Sequence, residues 1–153
     1  MSRRFIIALL GAGILFGGVQ PVRALMNEAL SFALEAAAPY VKKGFSVRQD
    51  NWSGKMSIGH KKGIKHQLFK GNEYWFWAGT DHPDAKVTVK IYDKKGRPVH
   101  VETKAGKKTA SARVLAPKTG TYLIVIEAKP ADPKKKKEFK PGSVGWGLVY
   151  GFR

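Results

Sequence analysis

The chain has no cysteine. That excludes disulfides and a lipid-modified N-terminal cysteine, so the fold must be held by its core alone. Carboxylates are scarce, with 11 Asp and Glu against 28 Lys and Arg, for a formal net charge of +17. General acid–base chemistry and hard-cation sites both need several carboxylates or imidazoles held together, and few are on offer. There is no G-x-S-x-G, no H-E-x-x-H, no P-loop and no dinucleotide-binding glycine pattern. These absences predict a protein that is not an enzyme and that carries no cofactor and no metal. The apolar run at 5–19 is shorter than the ~20 residues of a spanning helix, which predicts no transmembrane segment in the mature chain.

What is present begins with an address. Arg3 and Arg4, the apolar run, and Val22-Arg23-Ala24 have the build of a secretory signal peptide, 1–24, cleaved after Ala24. The product is expected to be exported, periplasmic or secreted, and the remainder suits one domain with one core. Loss of the leader removes only three arginines, so the charge excess stays. Such a field attracts polyanions or anionic surfaces. For an exported protein these are cell-wall polymers, acidic glycans or lipid headgroups, rather than nucleic acid.

Residues 25–43 read as an N-terminal α-helix. Asn27, Ser31 and Glu35 form one narrow polar stripe, apolar residues cover the rest, and Lys42, Lys43 and Gly44 close it, with Pro39 expected to kink it or end it early. Its apolar side packs on the domain, or docks on a membrane or a partner protein. From Gly44 onward the period is two, over candidate strands 45–49, 55–59, 64–69, 73–80, 86–93, 98–103, 110–116, 120–128 and 144–152. These predict an all-β domain, 44–153: an antiparallel, jelly-roll-like sandwich of about eight or nine strands behind one helix. An outer-membrane barrel is the rival, but the strands are short and lysine-rich for a lipid face. In 120–128, Tyr122, Ile124, Ile126 and Ala128 fall on one face and Leu123, Val125 and Glu127 on the other, which places this strand in the middle of a sheet.

Three segments together resemble a known family. They are GNEYWFWAGTD with Gly71, Tyr74 and Phe76; KVTVKIYDKKGRPV with Ile91, Tyr92, Asp93 and Gly96; and ARVLAPKTGTYLIVIEA with Pro117, Gly120, Thr121 and Tyr122. They resemble the bacterial pre-peptidase C-terminal type of small β-sandwich over residues 64–152. The resemblance implies an exported, non-catalytic sandwich with Tyr74 and Phe76 inside. It also implies acidic calcium ligands around the second segment, but Lys86 and Lys90 stand there instead.

Four candidate sites remain. The run Lys134, Lys135, Lys136 and Lys137 is the strongest charge cluster, and the turns with Lys61, Lys62, Lys94 and Lys95, and with Lys107 and Lys108, add further cations; lysine without arginine points to diffuse attraction to an anionic polymer or surface. Trp75 and Trp77 share a face of the aromatic strand, either as a stripe for stacking a sugar ring or as a surface covered by the helix. Asp81, His82 and Asp84 in TDHPDAK supply too few oxygens for calcium, so an Asx-type turn stiffened by Pro83 is expected, with Asp81 and Asp84 the only weak metal candidates. His60 and His66 flank lysines whose charge opposes a cation.

Overall fold

A computed structural model describes residues 27–137 and 143–153. The expected signal peptide, 1–24, and the start of the expected helix lie outside the described residues. Among the described residues, no helix is long and apolar enough to cross a membrane.

Helix α1 spans Glu28–Val41. Asn27 caps it, its side chain accepting from the Ala29 N–H at 3.0 Å, and Glu28 in the first turn complements the helix dipole. Pro39 does not end the helix, which continues to Val41. The carbonyl that proline leaves without its donor belongs to Glu35, an exposed residue that water can serve. Lys42 is the C-cap, and Gly44 at φ 87° then turns the chain in a conformation only glycine adopts freely. The residues buried by α1 are small ones four apart, Ala29, Ala33 and Ala37.

Eight strands follow: β1 Ser46–Ser57, β2 Lys61–Leu68, β3 Glu73–Thr80, β4 Ala85–Tyr92, β5 Glu102–Ala105, β6 Thr109–Leu115, β7 Gly120–Pro130 and β8 Ser143–Phe152. They form an all-β sandwich of a five-stranded sheet, ordered β1-β8-β3-β6-β5, and a three-stranded sheet, ordered β2-β7-β4, with antiparallel pairing throughout. The segments 45–49 and 55–59 join into the single strand β1, whose register slips between Val47 and Asn51. Expected strand 98–103 shrinks to β5, because Pro98 has no N–H for a ladder and makes only an isolated bridge to Tyr92. As its two apolar faces predict, β7 is central in its sheet.

Parity along β3 divides the protein into layers. Tyr74, Phe76 and Ala78 point between the sheets, into a core with Leu68, Ile91, Val114, Ile124, Ile126 and Leu148. Trp75 and Trp77 point the other way, into a second cluster with Val149, Phe45, Ala33 and Ala37. The layers are therefore α1, the five-stranded sheet, and the three-stranded sheet. One outer face of the sandwich is covered by the helix. The outer face of β2-β7-β4 is not.

Candidate functional site

Side chains alternate across a strand, so the register of the three-stranded sheet fixes what its open face carries. Four rows run along β7. Lys129 lies opposite Lys86, and Glu127 lies between Lys61 and Thr88. Val125 lies between Gly63 and Lys90, and Leu123 between Lys65 and Tyr92. Lys61, Lys65, Lys86, Lys90 and Lys129 are all exposed. The one carboxylate among them, Glu127, is paired with Lys129 at 3.4 Å. Among the described residues, that leaves a lysine without an ion pair in every row: Lys86, Lys61, Lys90 and Lys65, alternating between the two edge strands.

The lysines singled out from sequence do not gather in one place. Lys61 and Lys62 open β2 at one end of this sheet, and Lys134 and Lys135 lie at the same end, in a short 3-10 turn at Pro133–Lys137 that follows β7. The side chains of Lys136 and Lys137 lie outside the described residues. Lys94 and Lys95 lie at the opposite end, in the turn after β4. Lys65, Lys86, Lys90 and Lys129, which connect the two ends, were not among the expected anion contacts. The signal was available: in KVTVKIYD the apolar Val87, Val89 and Ile91 face inward and are buried, which forces Lys86 and Lys90 to the other face.

The end carrying Lys94 and Lys95 is concave. A cavity of about 300 Å³ lies between the 93–97 turn and the 117–121 turn, lined by Lys94, Lys95, Lys118, Thr119 and Thr121 among others. A second hollow beside it, about 550 Å³, shares Asp93, Lys94, Thr121 and Tyr122 and extends to Lys65 and Leu123 on the open face. Both turns are fixed by hydrogen bonds. Asp93 accepts from the Lys95 and Arg97 backbone N–H groups at 2.9 and 3.0 Å and from the Arg97 guanidinium at 2.8 Å. The Arg97 backbone N–H above all, then its guanidinium and the Lys95 N–H, hold the Asp93 carboxyl below the usual range. The Tyr122 hydroxyl donates to the Lys118 carbonyl at 2.7 Å, and Thr119 Oγ1 accepts from the Lys70 N–H at 2.9 Å.

The other candidates are engaged structurally. Trp75 and Trp77 are 3% and 1% exposed, stacked on one another at 6.3 Å and covered by the Tyr40 ring at 5.0 and 5.1 Å. The indole pair considered for a sugar thus has no open face, because α1 lies over it. Lys104 fastens this cover, its ammonium 2.9 Å from the Tyr40 hydroxyl and 4.9 Å from the Trp75 ring centre. Trp77 Nε1 is buried there with no hydrogen-bond partner among the described residues.

Asp81, one of the two weak metal candidates, accepts from the Gly145 N–H at 2.8 Å and so ties β8 to the end of β3. Its loop is a Thr turn rather than the expected Asx turn, with Thr80 Oγ1 accepting from the His82 N–H at 3.4 Å. Asp84 is exposed, and its own N–H donates to His82 Nδ1 at 3.1 Å. Among the described residues, no three His, Asp or Glu side chains are grouped as cation ligands. His60 and His66 do not meet. His60 is exposed, while His66 turns inward against Tyr150 and Trp52, at 4.4 and 5.4 Å. Burial lowers the His66 pKa, against the opposing pull of Asp50.

No family model and no curated protein sequence matches this chain. Among solved structures it is similar to the crystal structure of Aeromonas hydrophila PliG, a periplasmic lysozyme inhibitor of g-type lysozyme. The identity is 13% and the TM-score 0.48, over 72% of this chain and 90% of that one, a likeness too weak to carry fold or function across.

Proposed function

We propose that this chain is an exported, non-catalytic binding module that holds an anionic polymer or surface of the cell envelope through its lysines. The observation that carries this reading is the open face of the three-stranded sheet, where Lys61, Lys65, Lys86 and Lys90 form no ion pair among the described residues and the one carboxylate, Glu127, is paired with Lys129. Three of the four described arginines are engaged by carboxylates, Arg97 by Asp93, Arg113 by Glu73 and Glu102, and Arg153 by Glu73. What faces solvent on the three-stranded sheet is flexible ammonium charge, suited to attraction along a polyanion rather than to bidentate recognition of one group. The same ion pairs account for Glu73, Glu102 and Asp93 as structural carboxylates, and Asp81 is held by Gly145. This supports a binding role without chemistry. A partner protein meeting α1 would touch outward residues such as Glu28, Glu35 and Ala38, because its alanine stripe is occupied by the sheet.

The test is binding of a fluorescently labelled anionic polymer, followed by anisotropy as salt is raised. Four to six engaged charges predict a log–log slope of about −3 to −4, on the basis of roughly −0.7 per charge for a single-stranded polyanion. Affinity that ignores salt, or that is equal for a neutral polymer such as dextran, would refute the reading. Export is checked separately, by N-terminal sequencing of the mature protein, which is expected to begin at Leu25.

A further inference from the structure

Resting on that reading, we propose that the ligand is a single, extended, phosphodiester-linked polyol chain, laid along β7 with one end in the cleft between the 93–97 and 117–121 turns. Successive rows on one face of a strand are about 7 Å apart. The unpaired lysines therefore offer one cation per row, in the order Lys86, Lys61, Lys90 and Lys65, reaching over β7 from alternate sides. This matches a sparsely charged chain in extended form. Duplex DNA, with a charge every ~1.7 Å of its axis, is far denser.

Three features narrow the occupant. The hollow that reaches Lys65 and Leu123 opens into the cleft holding Lys94, Lys95 and Lys118, so the track continues into a recess that a thread can enter and a planar lipid surface cannot. The cations in the four rows are lysines, compact point charges of the kind that bind phosphate oxygens, and the one arginine that lines the cleft, Arg97, is engaged by Asp93 at 2.8 Å. The rows contain one aromatic ring, Tyr92, and the two stacked indoles are buried under α1. Single-stranded nucleic acid is held largely by stacking successive bases on aromatic rings. A base-free polyol phosphate needs no such platform, and Val125 and Leu123 along the centre suit its carbon segments.

The experiment uses a synthetic glycerol-phosphate oligomer long enough to cover the track, and two double variants of equal charge change. Lys65→Gln with Lys90→Gln removes two cations from the track. Lys42→Gln with Lys55→Gln removes two exposed lysines, one at the end of α1 and one on β1, away from it. The track variant is expected to bind about tenfold more weakly and to lose ~1.4 from its salt slope, while the other variant keeps the parent slope. Equal weakening of both variants would leave diffuse charge attraction standing and overturn the track. Tighter binding of an oligothymidylate or a uronate oligomer at equal charge count would overturn the assignment to a base-free phosphodiester. Failure of every polyanion to bind would remove the proposed function as well.

Discussion

The seat of α1 gives the sharpest test of the fold. Gly79 and Gly147 are partners across β3 and β8 and lie directly beneath the helix. A Cβ on Gly147 would stand 2.6 Å from Leu30 Cα, and one on Gly79 would stand 2.9 Å from Ala33 N and closer still to the Ala29 carbonyl. Optimal carbon contacts are about 3.5–4.0 Å, so either alanine must lift the helix by roughly 1 Å. The obstacles are backbone atoms, which no rotamer change can clear. The cost therefore belongs near the top of the 1–3 kcal/mol range for overpacking, about 2–3 kcal/mol for each substitution. Complete detachment would uncover half of two indoles, roughly 200 Å² and ~5 kcal/mol, so the helix should shift rather than leave. Urea unfolding followed by tryptophan emission checks this, with Gly120→Ala as the control because nothing lies near the added methyl. Gly79→Ala and Gly147→Ala should both lose stability and red-shift the folded emission, and together cost less than their sum because they lift one helix. Variants within ~0.5 kcal/mol of the parent, with unchanged emission, would refute the docking geometry.

Other perturbations follow from single residues. Burial keeps the His66 pKa below 6.5, so the unfolded chain takes up a proton that the folded one resists; stability should be full above about pH 6.5, fall as pH drops below it, and level off under the folded value, and His66→Gln should flatten that profile in pH-dependent melting. For Glu73, burial pushes the pKa up but the guanidiniums of Arg153 and Arg113 outweigh it, leaving it lowered. Glu73→Gln should therefore cost about 1 kcal/mol near neutrality, and the gap from the parent should close as pH falls through the acidic range, as urea melts at several pH values would show. Asp81→Ala strands the buried Gly145 N–H and should cost about 1–3 kcal/mol, while calcium or EDTA shifts the melting temperature of neither protein; a calcium-dependent shift in the parent would reinstate the metal loop. Lys90→Gln should leave the free protein's stability within ~0.5 kcal/mol of the parent at low salt. A loss above ~1 kcal/mol would make Lys90 a structural residue rather than a ligand contact.

Much of the fold was legible because period-two runs and turn chemistry are local. GTYLIVIEA states by its two apolar faces that it is central, and EYWFWAGT states by parity which rings meet the core. The merger of 45–49 with 55–59 was not legible. The stretch between them turns one large side chain, Trp52, toward the core, is otherwise polar, and is held as strand by pairing with β8, a contact some hundred residues away in sequence. The open face was hidden for a related reason. Lys61 and Lys65 alternate on one strand and Lys86 and Lys90 on another, so each is an ordinary solvated lysine until β7 sets them in register. Runs such as Lys134 to Lys137 attract notice in a sequence, yet the ordered charge pattern is the one dispersed through strands.

The two outer faces of the sandwich solve opposite problems. On the five-stranded sheet, indoles and glycines leave an apolar surface that would be costly in water, and α1 closes it with alanines small enough to approach the backbone. On the three-stranded sheet, nothing apolar requires cover except Val125 and Leu123, which are half-buried by their own neighbours. The lysines there repel one another. Cations on opposite edge strands in adjacent rows are roughly 12 Å apart, which amounts to ~0.3 kcal/mol per pair in water before salt screens it. None of Lys61, Lys65, Lys86 and Lys90 forms an ion pair within the described chain, and the one carboxylate on this face, Glu127, is shared with Lys129, so little offsets that repulsion. A bound polyanion reverses the sign of every one of these terms. On the proposed reading, the residues that cost the free protein a little stability are the ligand contacts, so track variants and helix-seat variants should separate cleanly, the first in binding and the second in melting.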